Sequence, residues 1–219
     1  MHNVTVAFAA LLVMLLSYFF GCFNGSFMVS HFIIRDDVRK HGSGNAGLTN
    51  FYRTYGAKYA LLVIACDMGK TVATCLLGSF FFRCLGWDGT LGTLLAGLGC
   101  ELGHIFPVFY GFRGGKGILS GGTLVLLLNW RVAAVAWALF LLLWLTTRYV
   151  SLASITATCS APITVYFVYG HNWLYTGLCL AVAALVVWCH RENIQRLLHG
   201  TEKKFKWHVN PTEGKEPPK

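Results

Sequence analysis

VAAVAWALFLLLWLTTRYVSLASITATCSAPITVYFVY, residues 132–169, decides the architecture. It holds two apolar runs, Val132–Thr147 and Leu152–Tyr169, parted by a short link whose one cation is Arg148. A spanning helix needs about 20 mostly apolar residues. In lipid each segment must satisfy its own backbone hydrogen bonds, which a helix does internally. Two such runs on so tight a link read as a helical hairpin in a bilayer. Working outward, further apolar runs cover Val4–Phe23, Ala57–Phe82, Thr90–Phe109, Gly117–Leu128 and Trp173–Cys189. The run Gly117–Leu128 is the short, glycine-rich member. Together these predict an all-α, polytopic integral membrane protein with seven transmembrane helices over residues 1–202. A basic tail, 203–219, has the composition of a disordered segment.

Composition supports this. Of 219 residues, 55% are hydrophobic and 12% charged, where soluble domains carry about 25% charged residues. Mean hydropathy is +0.56. No basic residue precedes Val4–Phe20 and no clean small-x-small site follows it, so the first run reads as a span and not as a signal peptide.

Lys and Arg set the orientation. With the N-terminus outside and seven spans, only Arg83 and Arg131 fall on the outer face, and Lys70 lies within the second span. Every other Lys and Arg falls on the opposite face, which is therefore cytoplasmic, as is the C-terminus. The formal net charge of +9 belongs to these flanks. It favours anionic membrane lipids as neighbours and gives no reason to expect nucleic acid. The eight cysteines include no CxxC pair and mostly lie in apolar runs, as small buried side chains do. The histidines show no i, i+4 ligand pair with a carboxylate, so no metal site is expected.

Three polar clusters fall on the cytoplasmic face. The first is Arg39–Lys40–His41 followed by GSGNAGLTNFYRTYG, residues 42–56. Glycines let its backbone N–H groups turn toward one point, Ser43, Asn45, Thr49 and Asn50 add neutral donors, and Arg53 adds a cation. This suits a phosphate cradle; it also suits a glycine-rich membrane loop with solvated polar groups. It is not a P-loop, because no GKS or GKT follows the glycines. The second cluster is GHIFPVFYGFRGGKG, residues 103–117, with His104, Arg113 and Lys116 on one rim beside Gly114 and Gly115. A helix beginning after Gly117 would turn its positive end toward Lys116. A basic interfacial loop has the same composition. The third is HRENIQRLLHGTEKKF, residues 190–205, in which His190 and Asn193 share a helical face. Within the spans, Asp67 and Lys70 are three apart and could pair, as could Glu101 and His104. Charges in a membrane usually face the bundle interior and serve function, although such a pair also simply fixes helix packing.

At these clusters the sequence resembles the acyl-phosphate–glycerol-3-phosphate acyltransferases, the PlsY family. Gly42–Asn50 is similar to the family's GSGN-x-G-x-TN. Gly103–Gly117 is similar to GH-x-(F/Y)PVF-x-x-F-(K/R)GGKG, and His190–Gly200 to HR-E-N-I-x-R-L-L-x-G. Arg148–Thr158 and Asp67-x-x-Lys70 also look like the family. The likeness runs in order to about residue 202. Leu48, Gly69, Thr71, Cys22 and the run 118–122 depart from the pattern, in ways that touch packing more than charge.

The resemblance implies seven spans in a bacterial inner membrane, with the active site at the cytoplasmic interface. It implies transfer of a fatty acyl group from acyl-phosphate to the 1-hydroxyl of glycerol 3-phosphate, giving lysophosphatidic acid and inorganic phosphate without a cofactor. On that reading Ser43, Arg53, Lys116 and Ser154 bind phosphate, with Ser151 and Arg191 as further candidates and Gly44, Asn45, Thr49, Asn50, His104, Gly114 and Gly115 around them. Loop N–H groups near Gly44 and Gly115 would stabilise the oxyanion. His190 and Asn193 would orient the acceptor hydroxyl, and either His190 or the donor's own phosphate would take its proton. Asp67, Lys70 and Glu192 would support the site from behind. His31 and Asp36 form an H-x-x-x-x-D spacing, which activates the acceptor in acyltransferases that use acyl-CoA or acyl-carrier protein, but no α/β domain follows it. A transporter for phosphorylated metabolites would call for an internal repeat, which the sequence lacks.

Overall fold

A computed structural model describes residues 2–205. It is helical throughout: α1 His2–Gly21, α2 Gly25–Met28, α3 Leu48–Tyr55, α4 Ala60–Cys84, α5 Gly89–Ile105, α6 Ile118–Leu128, α7 Trp130–Thr147, α8 Val150–Val168, α9 Trp173–Cys189 and α10 Arg191–Leu198. A π-helical turn, Val29–Ile34, continues α2. The expected tail beyond residue 205 lies outside the described residues. Its first part, Lys203–Phe205, packs back on the domain: the Phe205 N–H donates to the Arg148 carbonyl at 2.8 Å, and its ring stacks on Tyr52 with centroids 5.5 Å apart.

Each of the seven expected apolar runs is helical. Five helical stretches are long and apolar enough to cross a membrane, and α9 joins them only together with α10, across a 58° bend. The helix α6, with 11 residues, is shorter than a full span. The chain is thus an all-α integral membrane protein with five or six spans by length.

Cap chemistry sets the tight links. Asn129 accepts from the Arg131 N–H to start α7, and Asn172 accepts from the Tyr175 N–H to start α9; each replaces one of the orphan partners of a helix N-terminus. Arg148 ends α7 in the left-handed region, at φ 64°.

The centre of the bundle is α5, which packs against α1, α4, α6 and α9. Every residue from 92 to 101 is buried. Its glycines explain how it fits: a Cβ at Gly99 or Gly103 would overlap the α1 backbone at Met14 or Tyr18, and one at Gly92 would overlap Gly78 of α4. Small residues at such crossings let helices close without a hydrophobic drive between them. Large apolar side chains such as Leu11, Leu61, Phe80, Leu142 and Ile163 stay exposed on the outside, where lipid is their solvent.

Candidate functional site

The first and second clusters interlock. The Ala46 N–H and the Asn45 side-chain amide both donate to the Gly114 carbonyl, at 3.2 and 3.3 Å. Arg39 is held by Asp37 at 2.9 Å and donates to the Tyr110 carbonyl at 2.7 Å. Asn50 is buried and shapes its own loop: its Oδ1 accepts from the Ser43 N–H at 2.9 Å, and its Nδ2 reaches the Val38 and His41 carbonyls at 3.1 Å. Asn45 and Asn50 therefore hold the loop, where the sequence suggested ligands. Ser43 and Gly44 are exposed at its tip, and Thr49 is half-buried.

Behind the second cluster lies a buried polar group. Lys70 Nζ is 2.8 Å from Asp67 Oδ1 and 2.8 Å from His104 Nδ1, and donates to the Gly21 and Phe23 carbonyls at the end of α1. An ammonium only donates, so His104 Nδ1 accepts and its Nε2 carries the proton. A Cβ at Gly115 would run into that ring. His104 is 3% exposed. This corrects the expectation that it binds phosphate directly: its ring is turned inward to Lys70 and supports the Gly114–Gly115 turn. Gly117, at φ 82°, opens α6 in a conformation that glycine adopts without strain.

The third cluster meets the second through Lys116, whose Nζ donates to Asn193 Oδ1. Asn193 Nδ2 in turn donates to Glu202 Oε1 at 2.7 Å. The same oxygen accepts from the Ser151 hydroxyl at 2.7 Å, and Arg196 Nε donates to Oε2 at 2.7 Å. Arg53, from the first cluster, reaches the Lys203 carbonyl at 3.3 Å. Ser151, Arg53, Lys116, Asn193 and Arg196 thus gather around one stretch of chain. Arg196 and Glu202 were not singled out from the sequence, although Asn193 and Arg196 are three apart on one helix and Glu202 is the acid in a run otherwise basic.

Arg191 is placed elsewhere. Its guanidinium lies over the Trp188 ring, 4.3 Å from the centroid, and it is exposed. The cation that faces the site is Arg196, a turn and a half further along α10. Ser154 is buried on α8 one turn beyond Ser151. Glu192 is exposed and 3.8 Å from Arg196. His31 stacks on Phe27 while Asp36 bonds His41 at 2.8 Å, so the H-x-x-x-x-D spacing forms no pair.

His190 closes α9. Its Nδ1 is 2.7 Å from the Val186 carbonyl; a carbonyl only accepts, so Nδ1 carries the proton and Nε2 of the neutral ring is a free lone pair. Burial pushes its pKa down to about 4, which keeps it neutral near pH 7. Burial, and then the charge of Arg196, also lower the pKa of Lys116. Burial raises that of Glu202, but hydrogen bonds from Arg196, Asn193 and Ser151 outweigh it and hold the carboxyl below its usual range. The site combines a neutral imidazole with a cluster of cations at one end of the bundle. Such an arrangement can bind anions and take a proton from a hydroxyl.

Comparison with known proteins agrees. The family model "Glycerol-3-phosphate acyltransferase" matches residues 11–200. The chain is 39% identical over 197 residues to the glycerol-3-phosphate acyltransferase of Syntrophomonas wolfei, covering 90% of this chain and 96% of that one. It is 40% identical over 195 residues to that of Alkaliphilus metalliredigens, covering 89% and 95%. It superposes on the crystal structure of PlsY, an integral membrane glycerol 3-phosphate acyltransferase, in its glycerol 3-phosphate form with TM-score 0.80, 37% identity and coverage of 90% and 96%. For the lysophosphatidic acid form the TM-score is 0.77, with 36% identity and coverage of 90% and 95%. With a family match over most of its length and relatives this similar along nearly their whole length, the chain belongs to the glycerol-3-phosphate acyltransferase family.

Proposed function

We propose that this membrane acyltransferase takes its fatty acyl group from acyl-phosphate and delivers it to the 1-hydroxyl of sn-glycerol 3-phosphate. Lysophosphatidic acid and inorganic phosphate would leave, in the first acylation of phospholipid synthesis. The observation that carries the reading is the meeting of all three clusters around Lys116, Asn193 and Ser151. A reaction between two anions needs cations to screen their repulsion before it needs anything else.

Acyl-phosphate is a mixed anhydride and needs no activation. The acceptor oxygen attacks the acyl carbon, the bond from that carbon to the phosphate oxygen breaks, and phosphate leaves with the electron pair. Lys116 and Arg53 hold phosphate groups, with Ser43 at the exposed loop tip and Ser151 beside Glu202. A guanidinium has five N–H donors, of which Arg53 gives one to the Lys203 carbonyl. Loop N–H groups near Gly44 and Gly115 face the developing oxyanion. Asn193 orients the acceptor. The proton goes to His190 Nε2 or, without a protein base, to the departing phosphate.

The seven-helix order, with the N-terminus outside a bacterial inner membrane, puts the ends of α5 and α9 and the starts of α6 and α8 on the cytoplasmic side, together with every cluster. The short α6 then makes a partial crossing. An assay of the purified protein with glycerol 3-phosphate and either palmitoyl-phosphate or palmitoyl-CoA tests the reading. Turnover of the phosphate alone is expected, and turnover of the CoA ester alone overturns it.

A further inference from the structure

Between α8 and α9, on the outer side of the bundle, runs an apolar groove of about 640 Å³. On α9 it is lined by Trp173, Thr176, Leu180, Ala184 and Val187, and on α8 by Pro162 and its neighbours one turn either way. The groove exists because the facing side chains are small: Thr176, Ala183 and Ala184 on one wall, and Cys159 and Pro162 on the other. Its two ends differ. At the far end Tyr166 and Trp173 close it, their ring centroids 4.8 Å apart. At the near end it runs toward the site. Ala183, Val187 and His190 follow one another at i, i+4 and i+7, a single helical face. On α8, Ser151 lies two turns before Cys159.

From Trp173 to Val187 is fourteen helical steps, about 21 Å at 1.5 Å per residue. A bilayer's hydrocarbon core is about 30 Å thick, so the chains of one leaflet reach about 15 Å. The groove is therefore long enough for a single fatty chain, and its volume lies in the usual range for ligand sites, about 300–1,000 Å³.

We infer that this groove seats the fatty chain of the acyl donor, with the Tyr166–Trp173 pair as the stop that sets its preferred length. This rests on the proposed transfer of a fatty acyl group. A chain entering at Tyr166–Trp173 and rising past Leu180 and Ala184 would deliver its carboxyl end beyond Val187, beside His190 and Ser151. The groove opens to lipid, so the donor enters sideways from the membrane and its chain never crosses water.

The test is chain-length selectivity in the purified protein. Ala184 is six residues before His190, about 9 Å along the helix, and is exposed in the groove wall. Ala184→Trp should lower kcat/KM for a 16-carbon donor by about tenfold or more, while an 8-carbon donor and the KM for glycerol 3-phosphate hold; pocket steric terms of this kind are worth about 10–200-fold. Thr176→Phe, placed deeper, should show the same selectivity and keeps the test open if Ala184→Trp does not fold. Trp173→Ala should move the optimum toward longer chains. Unchanged length profiles in Thr176→Phe and Trp173→Ala would overturn the inference and leave the groove to bulk lipid. If the wild type uses acyl-CoA and refuses acyl-phosphate, the donor reading fails separately, and the same comparison among CoA esters still decides the groove.

Discussion

The Ser151 hydroxyl donates to Glu202 Oε1 at 2.7 Å, joining the start of α8 to a residue beyond α10. The same oxygen accepts from Asn193, and Arg196 binds the other oxygen. Glu202 therefore fixes the rotamer of Asn193, which reaches Lys116. Glu202→Ala is expected to lower kcat and to destabilise the fold by about 1–3 kcal/mol, the cost of leaving buried donors without their acceptor. Glu202→Gln, which keeps the shape and one acceptor, should lie between. Thermal unfolding in detergent together with kcat checks this, and an Ala variant with both unchanged would show that Asn193 is held by something else.

His190 is neutral in the structure's terms, so its pH dependence has a definite sign. Burial lowers its pKa to about 4, against about 6.5 in an unfolded chain. The unfolded state then binds the proton more readily, and His190's contribution to stability falls as pH drops from about 6.5 toward 4. Its lone pair is available above that window. At saturating glycerol 3-phosphate, kcat should be flat from about pH 6 to 8, with an acid limb below about 5. A limb centred near 6.5 that disappears in His190→Ala would overturn the neutral assignment. If His190 is the base, His190→Ala should lose about 10²–10⁴-fold in rate; a loss below tenfold hands the proton to the donor phosphate.

The Gly115 position separates loop shape from charge. A Cβ there meets the His104 ring, whereas one at Gly111 meets nothing within 4 Å. Gly115→Ala should therefore raise the KM for glycerol 3-phosphate well above the effect of Gly111→Ala, whose burden is only the strain of a positive φ, about 1 kcal/mol. Lys116→Ala should be worse than Lys116→Arg, because Arg keeps the cation and a donor toward Asn193. Equal KM values for the two glycine variants would mean that the loop does not rest on His104.

Much of the scaffold was legible because a bilayer forces helices and marks them by apolar length. Every expected apolar run became a helix, and Trp173–Cys189 kept both its ends. The span count was less legible: α6 has the composition of a span but only 11 residues, and composition carries no length limit of its own. The clusters came into view as glycines and cations, yet their division of labour did not. Asn50 and Asn45 turned inward because loops of this shape leave backbone groups that only a side chain can satisfy. Arg191 went to the Trp188 ring and Arg196 to Glu202, a choice set by how α10 bends away from α9. No periodicity in the sequence encodes that angle, and Glu202 in a basic tail gave no sign of folding back.

Two buried acids in the bundle should respond oppositely to replacement. Asp67 accepts from the Gly25 N–H at 3.0 Å and pairs with Lys70 at 2.8 Å, while Lys70 also ties down the last carbonyls of α1. Lys70→Met strands a buried carboxylate and should destabilise by about 3–5 kcal/mol, with Asp67→Leu/Lys70→Met recovering part of it. Glu101 is as deeply buried, but neither of its oxygens has a hydrogen-bond partner among the described residues. It sits against Gly117 and Gly121 at the start of α6. An unpartnered buried acid is a burden on the fold, so Glu101→Met, of similar volume, should leave the melting temperature unchanged or raise it. A clear drop in Glu101→Met, matched by a fall in activity, would instead make Glu101 the anchor that holds the start of α6 beside Lys116.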